Sequence, residues 1–484
     1  MQNGEKAMKF YYVGEKGREQ LRRYKYQGAD HSLVSKYILQ PFWSRFVLLF
    51  PLSAPGSSLA HSTPLPAAAP APPHIESPCL LCPRPSEITI MGLCFVFHNI
   101  TFMGLCFVFL SVAISWYTSP DLLAHVPRPV IILFSLLLFL YQTFDAVDGK
   151  QARRTGSSSP LGELMDHSCD AVCCTLEVLP FAAAGMMGSH APLFWLVSSS
   201  TFYFASWETF FTHSLVLPIV NGPTEGLLTL CSFFLFTAYV GQEWWGVPLF
   251  SASSAIHMHA HMPLLERIAS LSRLDLLLLV QFPLFVTPTA VSNLMTVLRA
   301  VRSAEKEKRK GGQPLRFSDT TLFAALLLLP YFALSGFTVS WAVLSPSAIF
   351  PRHAHFFFLA LCFSFALMVG RMILAHLTRE SEGLLPSMLQ PLLFLTIALI
   401  NAAWPHLTRG TSPGPLQAPL PELPLLLLYV AHTGYLYGHF AVCVCYDICN
   451  TLGIYTFRVG KAKTYQPLRA GKQEARIQFR PKVL

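Results

Sequence analysis

The feature that most constrains the folding of this 484-residue chain is a series of about ten apolar stretches, each long enough to cross a lipid bilayer. The hydrocarbon core of a bilayer requires about 20 apolar residues from a helix, and a spanning helix satisfies its own backbone hydrogen bonds. Hydrophobic residues make up 52% of the chain and charged residues only 13%, which excludes an ordinary water-soluble domain. The stretches are centred near residues 108, 136, 179, 202, 234, 286, 332, 366, 394 and 434. The sequence therefore predicts an all-α, polytopic integral membrane protein with about ten transmembrane helices.

Three segments outside the apolar stretches are rich in lysine and arginine, and they indicate the orientation of the chain. They are residues 6–25, 299–310 and 458–482. Loops that are rich in Lys and Arg remain on the cytosolic side of a membrane. With a cytosolic N-terminus and ten spans, all three segments fall on the cytosolic side. The net charge of +9 therefore lies on loops beside a membrane, and no nucleic-acid partner is expected.

The loop between the second and third predicted spans carries an acidic pattern, D-x-x-D-G-x-x-A-R-x8-G-x-x-x-D-x-x-x-D. Its fixed positions are Asp145, Asp148, Gly149, Ala152, Arg153, Gly162, Asp166 and Asp170. Four carboxylates beside apolar membrane sequence are costly unless something neutralises them. A divalent cation is the simplest neutralising group, and the predicted orientation places it on the cytosolic side.

Helical spacing predicts that these carboxylates meet on two facing helices. The fixed positions of residues 145–152 fall at i, i+3, i+4 and i+7, which is one face of a helix. Gly162, Asp166 and Asp170 fall at i, i+4 and i+8 on a second helix. The segment Arg154 to Pro160 between them is rich in Ser and Gly, which predicts a turn.

The chemistry of these side chains indicates a metal site that also binds phosphate. Hard cations such as Mg²⁺ prefer carboxylate and phosphate oxygens together, so we expect Mg²⁺ or Mn²⁺ here. The predicted ligands are Asp145, Asp148, Asp166 and Asp170. The guanidinium of Arg153 adds a positive group suited to phosphate. A solvated acidic loop, or ion pairs inside a helix bundle, is the alternative, and it explains neither the spacing nor the glycines.

The acidic pattern resembles the signature of the CDP-alcohol phosphatidyltransferase family. Its detail over residues 149–170, GKQARRTGSSSPLGELMDHSCD, is similar to the eukaryotic choline/ethanolamine phosphotransferase branch. Weaker likenesses lie in residues 24–43, YKYQGADHSLVSKYILQPFW, and residues 206–211, SWETFF.

The resemblance implies an enzyme of phospholipid biosynthesis in the membrane of the endoplasmic reticulum or Golgi, with its active site facing the cytosol. Such an enzyme transfers phosphocholine or phosphoethanolamine from CDP-choline or CDP-ethanolamine to diacylglycerol and releases CMP. A homodimer is a further expectation. Two other hypotheses stay open: a transferase that uses CDP-diacylglycerol and a polar alcohol, and a lipid-handling membrane protein without catalysis. His167 and the GKQARR segment favour the first of the three.

A catalytic base must take the proton of the attacking hydroxyl, and His167 is the first choice. It follows the predicted ligand Asp166, and Glu163, one turn earlier, is expected to orient its imidazole. Asp170 is the alternative base. The residues predicted to bind substrate within the motif are Arg153, Glu163, Gly149 and Gly162.

A Pro/Ala-rich insertion at residues 51–87 is of low complexity, and a near-repeat follows it, ITIMGLCFVF at 88–97 and ITFMGLCFVF at 100–109. The branch that the chain resembles has an Asn before the Ile-Thr pair of its first span, where it binds the nucleotide donor. Asn99 precedes the second copy and is therefore the predicted donor-binding residue, with Ser86 or Glu87 before the first copy as the alternative.

The composition and the resemblance together predict five regions along the chain. They are a cytosolic amphipathic segment at 1–50, the insertion at 51–87, a catalytic membrane core at 88–245, C-terminal membrane helices at 246–457 and a basic cytosolic tail at 458–484.

Overall fold

The computed structural model describes residues 11–24, 28–30, 32–50, 100–217, 223–248, 271–408 and 418–454, and most of these residues are helical. The α-helices are α1 (Glu15–Arg23), α2 (Gln40–Phe46), α3 (Ile100–Thr118), α4 (Arg128–Arg154), α5 (Pro160–Leu176), α6 (Val178–Ala184), α7 (Ala191–Thr212), α8 (Pro223–Val240), α9 (Glu243–Gly246), α10 (Arg273–Gln281), α11 (Thr287–Lys310), α12 (Thr321–Leu326), α13 (Leu329–Leu344), α14 (Ile349–Thr378), α15 (Leu384–Leu389), α16 (Leu392–Leu407) and α17 (Glu422–Leu452). Short π or 3-10 helices lie at Ser35–Leu39, Val47–Leu49, Gly188–His190, Phe282–Val286 and Phe317–Asp319. Two three-residue strands, β1 (Gly28–Asp30) and β2 (Leu215–Leu217), pair in parallel, with Gly28 opposite Leu215. The predicted helical class is confirmed, with this small strand pair added.

Seven segments of the described chain are long and apolar enough to cross a membrane. They are Ile100–Thr118, Arg128–Arg154, Pro223–Val240, Arg273–Lys310, Thr321–Leu344, Ile349–Thr378 and Glu422–Leu452. The remaining predicted centres, near 179, 202 and 394, fall in α5–α6, α7 and the shorter apolar helix α16. The prediction of a polytopic membrane protein is confirmed.

Helix α14 forms the centre of the bundle, since most of its residues are buried inside the protein. It packs against both α5 and α17. The approach is closest at Gly370, where an added Cβ would lie 2.7 Å from Cε1 of Phe440 on α17. A larger residue at position 370 would displace the Phe440 ring. This packing brings the C-terminal part of the chain against α5, which carries half of the acidic pattern.

Helix α4 carries the other half of the acidic pattern, and α3 and α8 hold it from two sides. Gly104 of α3 permits a close approach, since an added Cβ there would lie 3.3 Å from Cβ of Phe144. On the α8 side, the Ser135 hydroxyl donates to the Cys231 carbonyl at 3.0 Å, and the Cys231 thiol donates to the Ser135 carbonyl at 3.6 Å. Buried polar groups that satisfy one another in this way hold two helices in a fixed register.

Candidate active site

The acidic pattern folds, as predicted, into two helices joined by a tight turn. Helix α4 ends at Arg154, and α5 begins at Pro160. Gly156 in the turn has φ 65°, a left-handed conformation that glycine adopts without strain. The Ser159 hydroxyl caps α5 by accepting a hydrogen bond from the backbone N–H of Gly162 at 3.3 Å. The turn therefore returns the chain so that the start of α5 lies beside the end of α4.

Three of the four predicted metal ligands come together at this junction. One carboxylate oxygen from each of Asp145, Asp166 and Asp170 lies within 4.8 Å of the other two. Asp145 Oδ1 is buried and has no hydrogen-bond partner among the described residues. The Tyr141 hydroxyl donates to Asp170 at 2.6 Å and fixes that side chain. Partly buried carboxylates at this spacing repel one another, so the group is suited to a divalent cation.

The fourth predicted ligand, Asp148, lies outside this group of three. Its side chain is fully buried and accepts a hydrogen bond from the hydroxyl of Thr101 on α3. Asp148 shares a helix face with Asp145, but its carboxylate contacts Thr101 on α3. Its role as a metal ligand stays a prediction.

The predicted phosphate-binding residue Arg153 is exposed near the end of α4. Its guanidinium folds back over Gly149, where an added Cβ would lie 3.7 Å from Nη1 of Arg153. The positive group therefore lies on the helix that carries Asp145 and Asp148, beside a residue without a side chain. This arrangement is suited to an anion that approaches the carboxylate group.

Glu163 contacts residues other than His167, its expected partner. Its side chain accepts a hydrogen bond from the hydroxyl of Tyr24, and Nε2 of His376 lies 3.7 Å from its other oxygen. The hydrogen bonds of the described residues include none between Glu163 and His167. The expectation that Glu163 orients the imidazole is therefore not met, because the carboxylate turns toward α14 and the N-terminal segment. His167 is half-buried between Asp166 and Asp170 in the chain, and its role as a base stays a prediction.

Asn99 lies outside the described residues, so its role in binding the donor stays a prediction. The described chain resumes at Ile100, the first residue of α3.

Comparison with known proteins identifies the family. Residues 96–269 match the family model of the CDP-alcohol phosphatidyltransferases. Choline/ethanolaminephosphotransferase 1 of Arabidopsis thaliana is 40% identical over 448 residues, which cover 93% of this chain and 98% of the relative. Cholinephosphotransferase 1 of Saccharomyces cerevisiae is 29% identical over 94% of this chain and 99% of its own length. The chain belongs to the CDP-alcohol phosphatidyltransferase family.

A CDP-alcohol phosphatidyltransferase transfers a phosphoalcohol from a CDP-alcohol, so the chain is an enzyme of this class. Its apolar spans make it an integral membrane enzyme. The resemblance of the acidic pattern to this family is thereby confirmed.

Two residues of this phosphatidyltransferase that the sequence did not single out lie beside the acidic site. Tyr24 and His376 both contact Glu163, and both lie outside the segment that matches the family model. One signal was available for Tyr24, because it opens the N-terminal segment that resembles the eukaryotic branch. His376 gave a weaker signal as an ionisable residue near the end of an apolar stretch.

Proposed function

We propose that this enzyme transfers phosphocholine or phosphoethanolamine from CDP-choline or CDP-ethanolamine to diacylglycerol. The products are phosphatidylcholine or phosphatidylethanolamine, and CMP. The observation that carries the proposal is the group of Asp145, Asp166 and Asp170 in a chain that is 40% identical, over 93% of its length, to a choline/ethanolaminephosphotransferase. A carboxylate cluster of this kind suits a substrate that contains a diphosphate.

Asp145, Asp166 and Asp170, with Asp148 as a fourth candidate, would hold Mg²⁺ or Mn²⁺. The fit rests on hard oxygen donors and on the buried Asp145 Oδ1, which has no hydrogen-bond partner among the described residues. When bound, such a cation neutralises charge on the diphosphate.

The side chains around this group have separate tasks in the proposed reaction. Arg153 binds a phosphate of the donor, close to Gly149. His167 takes the proton of the diacylglycerol hydroxyl as that oxygen attacks phosphorus, and Asp170 is the alternative acceptor. The protein's contribution is mainly to position the donor and the acceptor and to stabilise charge.

A direct assay tests the proposed donor and acceptor. Membranes from a host that lacks the activity, with the chain expressed in them, are given labelled CDP-choline or CDP-ethanolamine with diacylglycerol and Mg²⁺. In parallel, they are given CDP-diacylglycerol with inositol. We expect labelled phospholipid only from the first pair of donors. Product only from CDP-diacylglycerol would support the alternative transferase, and no product from any donor would support a protein without catalysis.

We further propose that the enzyme lies in the endoplasmic reticulum or Golgi membrane, with its site facing the cytosol. The segments assigned to the cytosolic side contact one another: residues 11–13 contact Asp447 near the end of α17, and Glu163 contacts His376 near the end of α14. At the other end of the bundle, Glu422 at the start of α17 accepts a hydrogen bond from Nε1 of Trp341 at 2.9 Å. The two sets of contacts lie at opposite ends of the bundle, as ten spans of alternating direction require. The five regions along the chain, the homodimer and the role of Asn99 remain part of the proposal.

Protease accessibility tests this orientation. We expect a site-specific protease sequence inserted after Gly311, which lies in an exposed loop after the basic end of α11, to be cut in sealed microsomes. The same sequence after Gly410 should be cut only after the membrane is permeabilised, because an odd number of predicted spans separates the two positions. The opposite pattern would place the acidic site in the lumen and contradict the proposed orientation.

A further inference from the structure

Residues 11–50, as far as they are described, form an N-terminal strap across the end of the bundle that carries the acidic site. Its start is held by two carboxylates. Asp447 on α17 accepts hydrogen bonds from the backbone N–H groups of residues 11–13 at 2.7–3.2 Å. Glu380, after α14, accepts from the N–H groups of Gly14 at 3.2 Å and Gly17 at 2.8 Å. An added Cβ at Gly17 would lie 2.7 Å from the Glu380 carboxylate, so a larger residue here would displace that carboxylate.

The end of the strap is held by α4, the helix that carries Asp145. Lys150 donates to the Ser44 hydroxyl at 3.1 Å. Arg154 donates to the carbonyls of Val47 at 3.1 Å and Phe50 at 3.0 Å. Between its two ends, β1 of the strap pairs with β2, which follows α7. The strap is therefore fixed on both sides of the acidic site.

Tyr24 lies on this strap between α1 and β1, and its hydroxyl donates to Glu163. The ring of His376 lies on the other side of Glu163, with its Nε2 3.7 Å from the second carboxylate oxygen. The Tyr24 and His376 rings meet edge to face, with their centroids 6.5 Å apart. The side chains of Glu163 and His376 are each only 8% exposed. A carboxylate enclosed in this way depends on its hydrogen-bond donor to keep one orientation.

Glu163 lies about one helical turn before Asp166 on α5. Its orientation therefore affects the binding of any ligand at the three clustered aspartates. In the proposed function, which this inference takes as its basis, the phosphoalcohol of the donor ends in a cationic amine. A carboxylate that is fixed near the phosphates attracts such a cation.

We infer that Tyr24 is a positioning residue, by which the N-terminal strap holds Glu163 in the orientation that binds the donor. The strap then completes the donor site from outside the segment that matches the family model. Loss of the Tyr24 hydroxyl leaves the metal-binding carboxylates in place and weakens donor binding.

The variant Tyr24→Phe removes the hydroxyl and keeps the ring. Loss of a hydrogen bond that leaves a buried carboxyl group without its donor usually weakens binding about tenfold or more, so we expect the KM for CDP-choline to rise by about this factor. We expect kcat to change less than about threefold and the dependence on diacylglycerol to stay the same. The matched control is Tyr12→Phe on the same strap, where the lost hydroxyl pairs with Nδ1 of His439 at 2.7 Å and not with Glu163. The control should keep the donor KM of the unmodified protein.

The double variant with Glu163→Gln separates positioning from a general loss of structure. If Tyr24 acts through Glu163, adding Tyr24→Phe to Glu163→Gln should raise the donor KM by much less than it does alone. A full additional increase in the double variant, or an equal increase in Tyr12→Phe, would overturn the inference.

Thermal unfolding with CDP-choline and Mg²⁺ provides a measurement that does not depend on turnover. Tyr24→Phe should need about ten times more CDP-choline than the unmodified protein for equal stabilisation. Equal stabilisation at equal concentration would overturn the role of Tyr24. Absence of turnover in the unmodified protein would contradict the proposed function instead, so the two failures are distinguishable.

Discussion

Asp166→Asn is expected to reduce phosphoalcohol transfer to background. The change keeps the shape of the side chain but removes a charged ligand from the group that also contains Asp145 and Asp170, whose oxygens lie within 4.8 Å of one another. A divalent cation is held mainly by carboxylate oxygens, so the loss of one of three charges should abolish productive binding of the donor diphosphate. The measurement is transfer of label from CDP-choline or CDP-ethanolamine to diacylglycerol in membranes.

Two controls make this result specific. EDTA should have the same effect on the unmodified protein, and added Mg²⁺ or Mn²⁺ should restore its activity. Asp319→Asn removes a carboxylate that pairs with Lys308 at 2.6 Å outside the acidic site, and it should leave turnover unchanged. Full turnover in the presence of chelator would contradict the role of the metal.

His167→Ala is expected to lower kcat by about 10²–10⁴-fold, because general-base catalysis is usually of this size. Binding of the donor should change little, since the carboxylate group and Arg153 remain. Kinetics at saturating diacylglycerol, with the donor concentration varied, separate the two effects. A loss of less than about fivefold would assign the base to Asp170 or to water.

The contacts of Glu163 sharpen this prediction. Because its carboxylate contacts Tyr24 and His376, Glu163→Gln should raise the donor KM and should not reproduce the kcat loss of His167→Ala. His432→Ala is a control for removing an imidazole, since Nε2 of His432 pairs with the Gln390 carbonyl at 3.2 Å in an exposed position. It should leave kcat unchanged.

Local periodicity accounts for the three carboxylates that the structure brings together. Asp166 and Asp170 share a face of α5 because residues four apart on a helix do so, and the Ser/Gly-rich turn places α5 beside Asp145 on α4. The apolar stretches predicted the bundle for a similar reason, since about 20 apolar residues in a row have few other stable environments. Both patterns, the helical spacing and the apolar runs, can be recognised within a short stretch of sequence.

The orientation of Asp148 and Glu163 could not be predicted in this way. Asp148 shares the periodicity of Asp145, but it accepts a hydrogen bond from Thr101 of α3, 47 positions away in the chain. Glu163 stands at i−4 from His167, yet its hydrogen-bond donor, Tyr24, is 139 positions away. Each carboxylate turns toward a hydrogen-bond donor that a distant segment supplies. Packing between distant segments produces no periodic pattern in the sequence.

The sequence by itself determined the helical membrane class, the positions of most spans and the two facing helices with their carboxylates. These properties depend on hydrophobicity and helical spacing, which act over one or two turns. Only the tertiary structure decided that α14 is the centre of the bundle and that an N-terminal strap reaches the site between Asp447 and α4. Close contacts such as Gly370 against Phe440 and Gly17 against Glu380 decide those arrangements, because they depend on the shapes of segments that are far apart in the chain.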